Sequence, residues 1–95
     1  MKGLSVDIAR ELLRVRKEGF RGIALLCDPP TGALAIFSVN TGGCCCLGTA
    51  PIVGSAPAFG ITQLPDLSIP ESATPTEAFQ AVGAELRRMK KRLLN

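Results

Sequence analysis

Three consecutive cysteines, Cys44-Cys45-Cys46, are the most reactive residue types in this chain, and Cys27 supplies a fourth thiol. A structural zinc site uses pairs such as C-x2-C, because two intervening residues let both sulfurs point at one ion. Adjacent cysteines point apart, and the chain has no histidine to complete a ligand set. Neighbouring Cα atoms lie about 3.8 Å apart, short of the usual disulfide span. The spacing therefore predicts reduced thiols and no metal site. The triplet reads as small buried residues in a tight, glycine-flanked segment.

Two other chemistries are tested by what surrounds their motifs. Gly42, Gly43, Gly48, Gly54 and Gly60 resemble the punctuation of a phosphate loop, but G-x4-G-K-[ST] and G-x-G-x-x-G are both missing. No Lys or Arg occurs between Arg21 and Arg87 to neutralise a phosphate there. Nucleophilic catalysis by Ser or Cys needs a neighbouring base, and without histidine that role falls to carboxylates in no recognisable motif. Asp28 is explained as a turn residue before Pro29-Pro30. The expectation is a protein with no catalytic residues and no cofactor, and hence not an enzyme.

One charge cluster stands out. Lys2, Arg10, Arg14, Arg16, Lys17 and Arg21 are balanced by Asp7, Glu11, Glu18, Asp28, Asp66 and Glu71, so the net charge of +3 comes from the last segment. There Arg87, Arg88, Lys90, Lys91 and Arg92 face only Glu77 and Glu85. Such a run fits contacts to phosphate or to an acidic partner. Readers of nucleic-acid bases usually add aromatics or Asn/Gln, and the helix offers only Phe79 and Gln80.

The elements that must carry these groups follow from periodicity. Gly22–Val39 holds two apolar runs, Ile23–Cys27 and Ala33–Val39, joined by Asp28-Pro29-Pro30-Thr31-Gly32, which reads as a β-hairpin over about 22–39. Both runs are apolar on both faces, so both faces should be covered, by helices or by another subunit. A hairpin alone is marginal, so further strands are expected. Ser5 as N-cap, a stripe of Ile8, Leu12 and Val15, and Gly19 as terminator predict a helix over about 5–18. Thr74-Pro75-Thr76-Glu77 is a capping box with proline at the first helical position, opening a helix over about 75–93. Its Phe79, Val82, Leu86, Met89 and Leu93 follow heptad spacing and form a candidate interaction seam.

Residues 40–73 are harder to read. They mix Gly, Ala, Pro and Ser with short apolar patches, and Ile52–Val53 and Phe59–Gln63 are candidate short strands. A structureless loop of this length is unlikely in a compact domain. The segment either folds as extended pieces over the hairpin or forms an apolar arm on a neighbouring subunit. Its prolines and glycines exclude an apolar helix through a bilayer. The opening MKGLSVDIAR lacks a signal-peptide h-region.

The chain of 95 residues is thus expected to be one small α+β domain: helix, hairpin, one or two further short strands, helix. The expected function is a soluble, cytoplasmic, non-enzymatic interaction or assembly module. It would partner itself or a larger assembly, as a structural or accessory subunit of a bacterial or phage complex, free or built into a particle in the cytoplasm. The rival is a nucleic-acid-associated regulator using the basic helix. A third reading is an inhibitor of one protein target.

Overall fold

The computed structural model describes residues 6–52 and 60–94, with side chains through Lys90. Six elements follow in order: α1 (Val6–Lys17), β1 (Gly22–Asp28), β2 (Ala33–Asn40), β3 (Gly43–Pro51), β4 (Gly60–Leu64) and α2 (Pro75–Leu94). The strands form one antiparallel sheet in the order β3-β2-β1-β4. Three strands follow each other through short turns and the fourth returns beside the first, which is the Greek-key order. The expected small α+β domain, with a hairpin, further strands and a helix on either side in sequence, is the fold observed.

The two central strands are apolar on both faces because each face carries a helix. On one face Ala24, Leu26, Ala35, Phe37 and Val39 pack with Ile8 and Leu12 of α1. On the other, Ile23, Ile36 and Leu64 pack with Ala78 and Val82 of α2. The register explains the division: Ala24 lies opposite Phe37 and Leu26 opposite Ala35, while Leu25 lies opposite Ile36. Alternate residues of a strand face opposite ways, so one hairpin feeds two cores.

Both helices end their runs as the sequence indicates. The N–H of Phe20 reaches the carbonyl of Val15 (3.2 Å) and that of Gly19 reaches Arg16 (2.9 Å). With Gly19 at φ 89°, this is a Schellman C-cap, a conformation glycine adopts without a Cβ penalty. At α2, the N–H of Glu77 donates to Thr74 Oγ1 (3.2 Å) and the N–H of Thr74 donates to Glu77 Oε1 (3.0 Å). These bonds hold the Glu77 carboxyl below its usual range. Ser5, the expected cap of α1, lies outside the described residues.

The hairpin loop is fixed by Asp28, which is buried at 0% exposure. Thr31 Oγ1 donates to Asp28 Oδ2 at 2.8 Å, and the N–H groups of Thr31 and Gly32 both reach the Asp28 carbonyl. Asp28 is therefore the turn residue expected, held at the end of β1.

Residues 40–73 depart from the arm reading. Gly43–Pro51 is a strand of nine residues paired along β2, and Gly60–Leu64 pairs with β1. The candidate strand at Phe59–Gln63 corresponds to β4, although Phe59 and Val53 fall outside the described residues. β3 was hidden because Gly43-Cys44-Cys45-Cys46-Leu47-Gly48 has neither alternation nor β-branched residues. It is made a strand by its turn: the N–H of Gly42 donates to Asn40 Oδ1 at 2.9 Å, reversing the chain. Leu47 is the extra residue of a bulge, since Ile36 faces Gly48 and Phe37 faces Cys46. Gly48 lets α2 approach, because a Cβ there would stand 2.9 Å from Pro75 Cβ.

The same packing rotates the expected seam of α2. Val82 is 2% exposed, and Phe79 and Met89 are partly buried against the sheet, whereas Leu86 is 36% exposed. Ala78 and Glu85 take the buried positions instead. Leu93 lies outside the described side chains. Val82→Asp should therefore lower unfolding free energy by about 3 kcal/mol, by putting an unpaired charge in the core. Leu86→Asp should cost less, about 1 kcal/mol. Urea unfolding followed by circular dichroism at 222 nm separates the two, and equal losses would mean that the face is assigned wrongly.

Candidate functional site

Two regions bring chemistry-bearing side chains together: the outer strand β3 and the end of the domain where both helices finish. On β3 the cysteines alternate. Cys44 and Cys46 lie opposite Val39 and Phe37, on the α1 face, and Cys45 lies opposite Ser38 on the other face. Cys46 is half-buried against the α1 core, with its Sγ 3.7 Å from the Gly48 carbonyl. Cys44 and Cys45 are exposed. This corrects the reading of the triplet as buried filler: an outer strand has only one neighbour, so two of its three thiols face water. Among the described residues no group of three or more His, Cys, Asp or Glu side chains converges to hold a metal ion.

Cys44 sits in two opposing influences. Partial burial of the sulfur pushes its thiol up from the usual range, and the nearby Arg16 guanidinium works against that by favouring thiolate. The first effect is the larger.

The second region collects cations. α1 finishes at Arg16 and Lys17, and Arg21 precedes β1. Leu64 of β4 pairs with Ile23 at the same end of the sheet, and Asp66 follows it. Arg88 of α2 reaches to 4.0 Å from Asp66, so both helices bring their basic ends to one pole of the domain. The predicted basic run is only partly available there. Arg88 also bonds to Glu85, one turn earlier; this pairing is why a glutamate is accepted at a buried position of α2. The i, i+3 spacing of Glu85 and Arg88 was the one sequence signal for it. Arg87 and Lys90 are exposed, and Lys91 and Arg92 lie outside the described side chains.

On the α1 side of this pole an open cavity of about 370 Å³ is lined by Leu13, Arg16, Lys17, Phe20, Arg21, Asn40 and Thr41, among others. Arg16 donates from Nη2 to the Thr41 carbonyl at 3.4 Å. Its Nε is buried without a hydrogen-bond partner among the described residues, an arrangement that typically costs about 1–3 kcal/mol. The nearby acids pair with Arg14 rather than with these cations. Glu11 and Glu18 are both bound by Arg14, at 2.8 and 2.6 Å. Sequence reasoning missed this group because Arg16, Lys17 and Arg21 are balanced by acids in the overall count, and because the opposite wall, the turn at Asn40–Thr41, is distant in sequence.

With this geometry in hand, the chain matches no protein-family model, no curated protein and no solved structure at a significant level. No helix among the described residues is long and apolar enough to cross a membrane.

The thiol chemistry gives a direct measurement. In a Cys45→Ser, Cys46→Ser background, iodoacetamide should label Cys44 with a pH midpoint above that of an ordinary cysteine thiol. Arg16→Gln should move the midpoint further up, since it removes the charge that favours thiolate. A midpoint at or below the ordinary value would mean that the Arg16 field outweighs burial.

Proposed function

We propose that this domain is a non-enzymatic assembly module that joins a second copy of itself along the outer edge of β3. The observation that carries the reading is the make-up of that edge. β3 spans Gly43–Pro51 at the margin of the sheet and carries no charged residue. Sheet edges are normally guarded by lysines, inward charges, prolines or shortness, because their unpaired N–H and C=O groups recruit other strands. Among the described residues, the bulge at Leu47 and the terminal Pro51 are the guards on this one. Strand addition uses the main chain for affinity, and an uncharged strand of this length suits it. Exposed Val6 (69%) and Leu13 (54%) add apolar surface on α1. A structural or accessory subunit of a larger bacterial or phage assembly is the setting this reading favours, in the cytoplasm.

The rival is a nucleic-acid-associated regulator acting through exposed Arg87 and Lys90. It is weakened because Arg88 already has Glu85 and Asp66 as partners. The third reading, an inhibitor of one protein target, rested on an apolar arm, and Gly43–Pro51 and Gly60–Leu64 of that segment are strands of the sheet.

Size-exclusion chromatography with light scattering, at several concentrations and two salt levels, decides among these. The expected result is a dimer or larger species whose mass does not depend on salt, reduced to monomer by Cys45→Lys, which sets a charge on the exposed edge. A monomer at every concentration overturns the reading. Co-eluting absorbance at 260 nm that leaves at high salt favours the regulator, since phosphate contacts weaken steeply with salt.

A further inference from the structure

We propose that the cavity between the end of α1 and the β2–β3 turn binds the phosphate group of a small molecule. The argument begins with charge. Arg16, Lys17 and Arg21 line the cavity, and the neighbouring acids Glu11 and Glu18 are engaged by Arg14, so three cavity cations outweigh the single negative charge that this group leaves over. A dianion entering here meets this excess of cations, one of them a guanidinium that presents a fork to tetrahedral oxygens.

The second element is the orphaned donor. Arg16 Nε is buried and lacks a partner among the described residues, while its Nη2 is fixed on the Thr41 carbonyl. The side chain therefore lies along the cavity wall, and an anion oxygen in the cavity would bond the guanidinium N–H groups that remain open to it. Asn40 Oδ1 accepts the Gly42 N–H, which leaves the amide N–H groups of Asn40 as further donors. The Thr41 hydroxyl is another.

The third element removes an objection. A helix C-terminus ordinarily repels anions through its unpaired carbonyls. Here the carbonyls of Arg14, Val15 and Arg16 are occupied by the N–H groups of Glu18, Phe20 and Gly19. The partial charge that remains is opposed by the full charges of Arg16, Lys17 and Arg21. Phe20, at the wall of the cavity, offers an apolar surface to whatever bears the phosphate.

The test is a titration of the 15N-labelled full chain with sodium phosphate, ionic strength being held constant with sodium chloride. Saturable shifts confined to the amides of Arg16–Arg21 and Asn40–Thr41 are expected. Arg16→Gln should weaken binding about tenfold or more, and Arg87→Gln with Lys90→Gln should leave it unchanged. If Arg16→Gln loses its dispersed spectrum, Lys17→Gln with Arg21→Gln, both at exposed positions, takes its place with the same expectation. A nucleoside 5′-monophosphate that binds more tightly than phosphate, with shifts at Phe20, identifies a nucleotide as the source. Equal affinity identifies inorganic phosphate or a simple ester. Linear shifts without saturation, or equal shifts on both basic helix ends, overturn the proposal.

Discussion

The constraint on which everything else depends is that β1 and β2 are apolar on both faces. Ala24 and Leu26 bury one way, Ile23 and Leu25 the other, and β2 repeats the division with Phe37 and Ile36. Neither face can be left to water, so one helix on each is the minimal solution for a short chain. With no Trp or Tyr, area must come from many small aliphatic contacts. This makes the close approaches important: Gly48 beneath Pro75 and Ala78 at 0% exposure let α2 lie near the sheet.

This constraint was legible in the chain, and so was much of what it controls. The double-sided runs at Ile23–Cys27 and Ala33–Val39 demanded cover on both sides, and the capping box at Thr74–Glu77 located the helix that supplies it. What could not be read was the strand whose identity is imposed from outside. Gly43–Pro51 has almost no intrinsic β preference; its residues become a strand because the Asn40–Gly42 turn lays them along β2. Here tertiary pairing overrides local propensity. The rotation of α2 has a similar origin. Heptad spacing points to Leu86, but Glu85 with its Arg88 partner occupies the inner position, and a charge is discounted by any rule based on hydrophobicity alone.

The two candidate sites differ in how visible they were. The cysteine triplet was conspicuous by composition, yet its exposure is a property of position at the sheet margin. The cavity was inconspicuous because its cations come from α1 and the link to β1, while its opposite wall, Asn40 and Thr41, comes from the far end of β2. Sequence balance between acids and bases conceals such a group: Glu11 and Glu18 both turn to Arg14, and neither forms an ion pair with Arg16 or Lys17 among the described residues. Local pairing, rather than net charge, decides where a field persists.

The Greek-key order has a kinetic consequence. β1, β2 and β3 are joined by short turns and can pair soon after collapse, whereas Ile23 and Leu64 pair across a much longer stretch of chain. Closing the longer loop costs more chain entropy, and distant pairings slow folding. Chain entropy thus favours a route in which the three-stranded meander forms before β4 and α2 are seated. During that interval Ile23, Leu25 and Ile36 form a bare aliphatic surface beside an uncharged strand edge. The speed with which α2 arrives sets how long nascent molecules are vulnerable to sticking to one another in the wrong way.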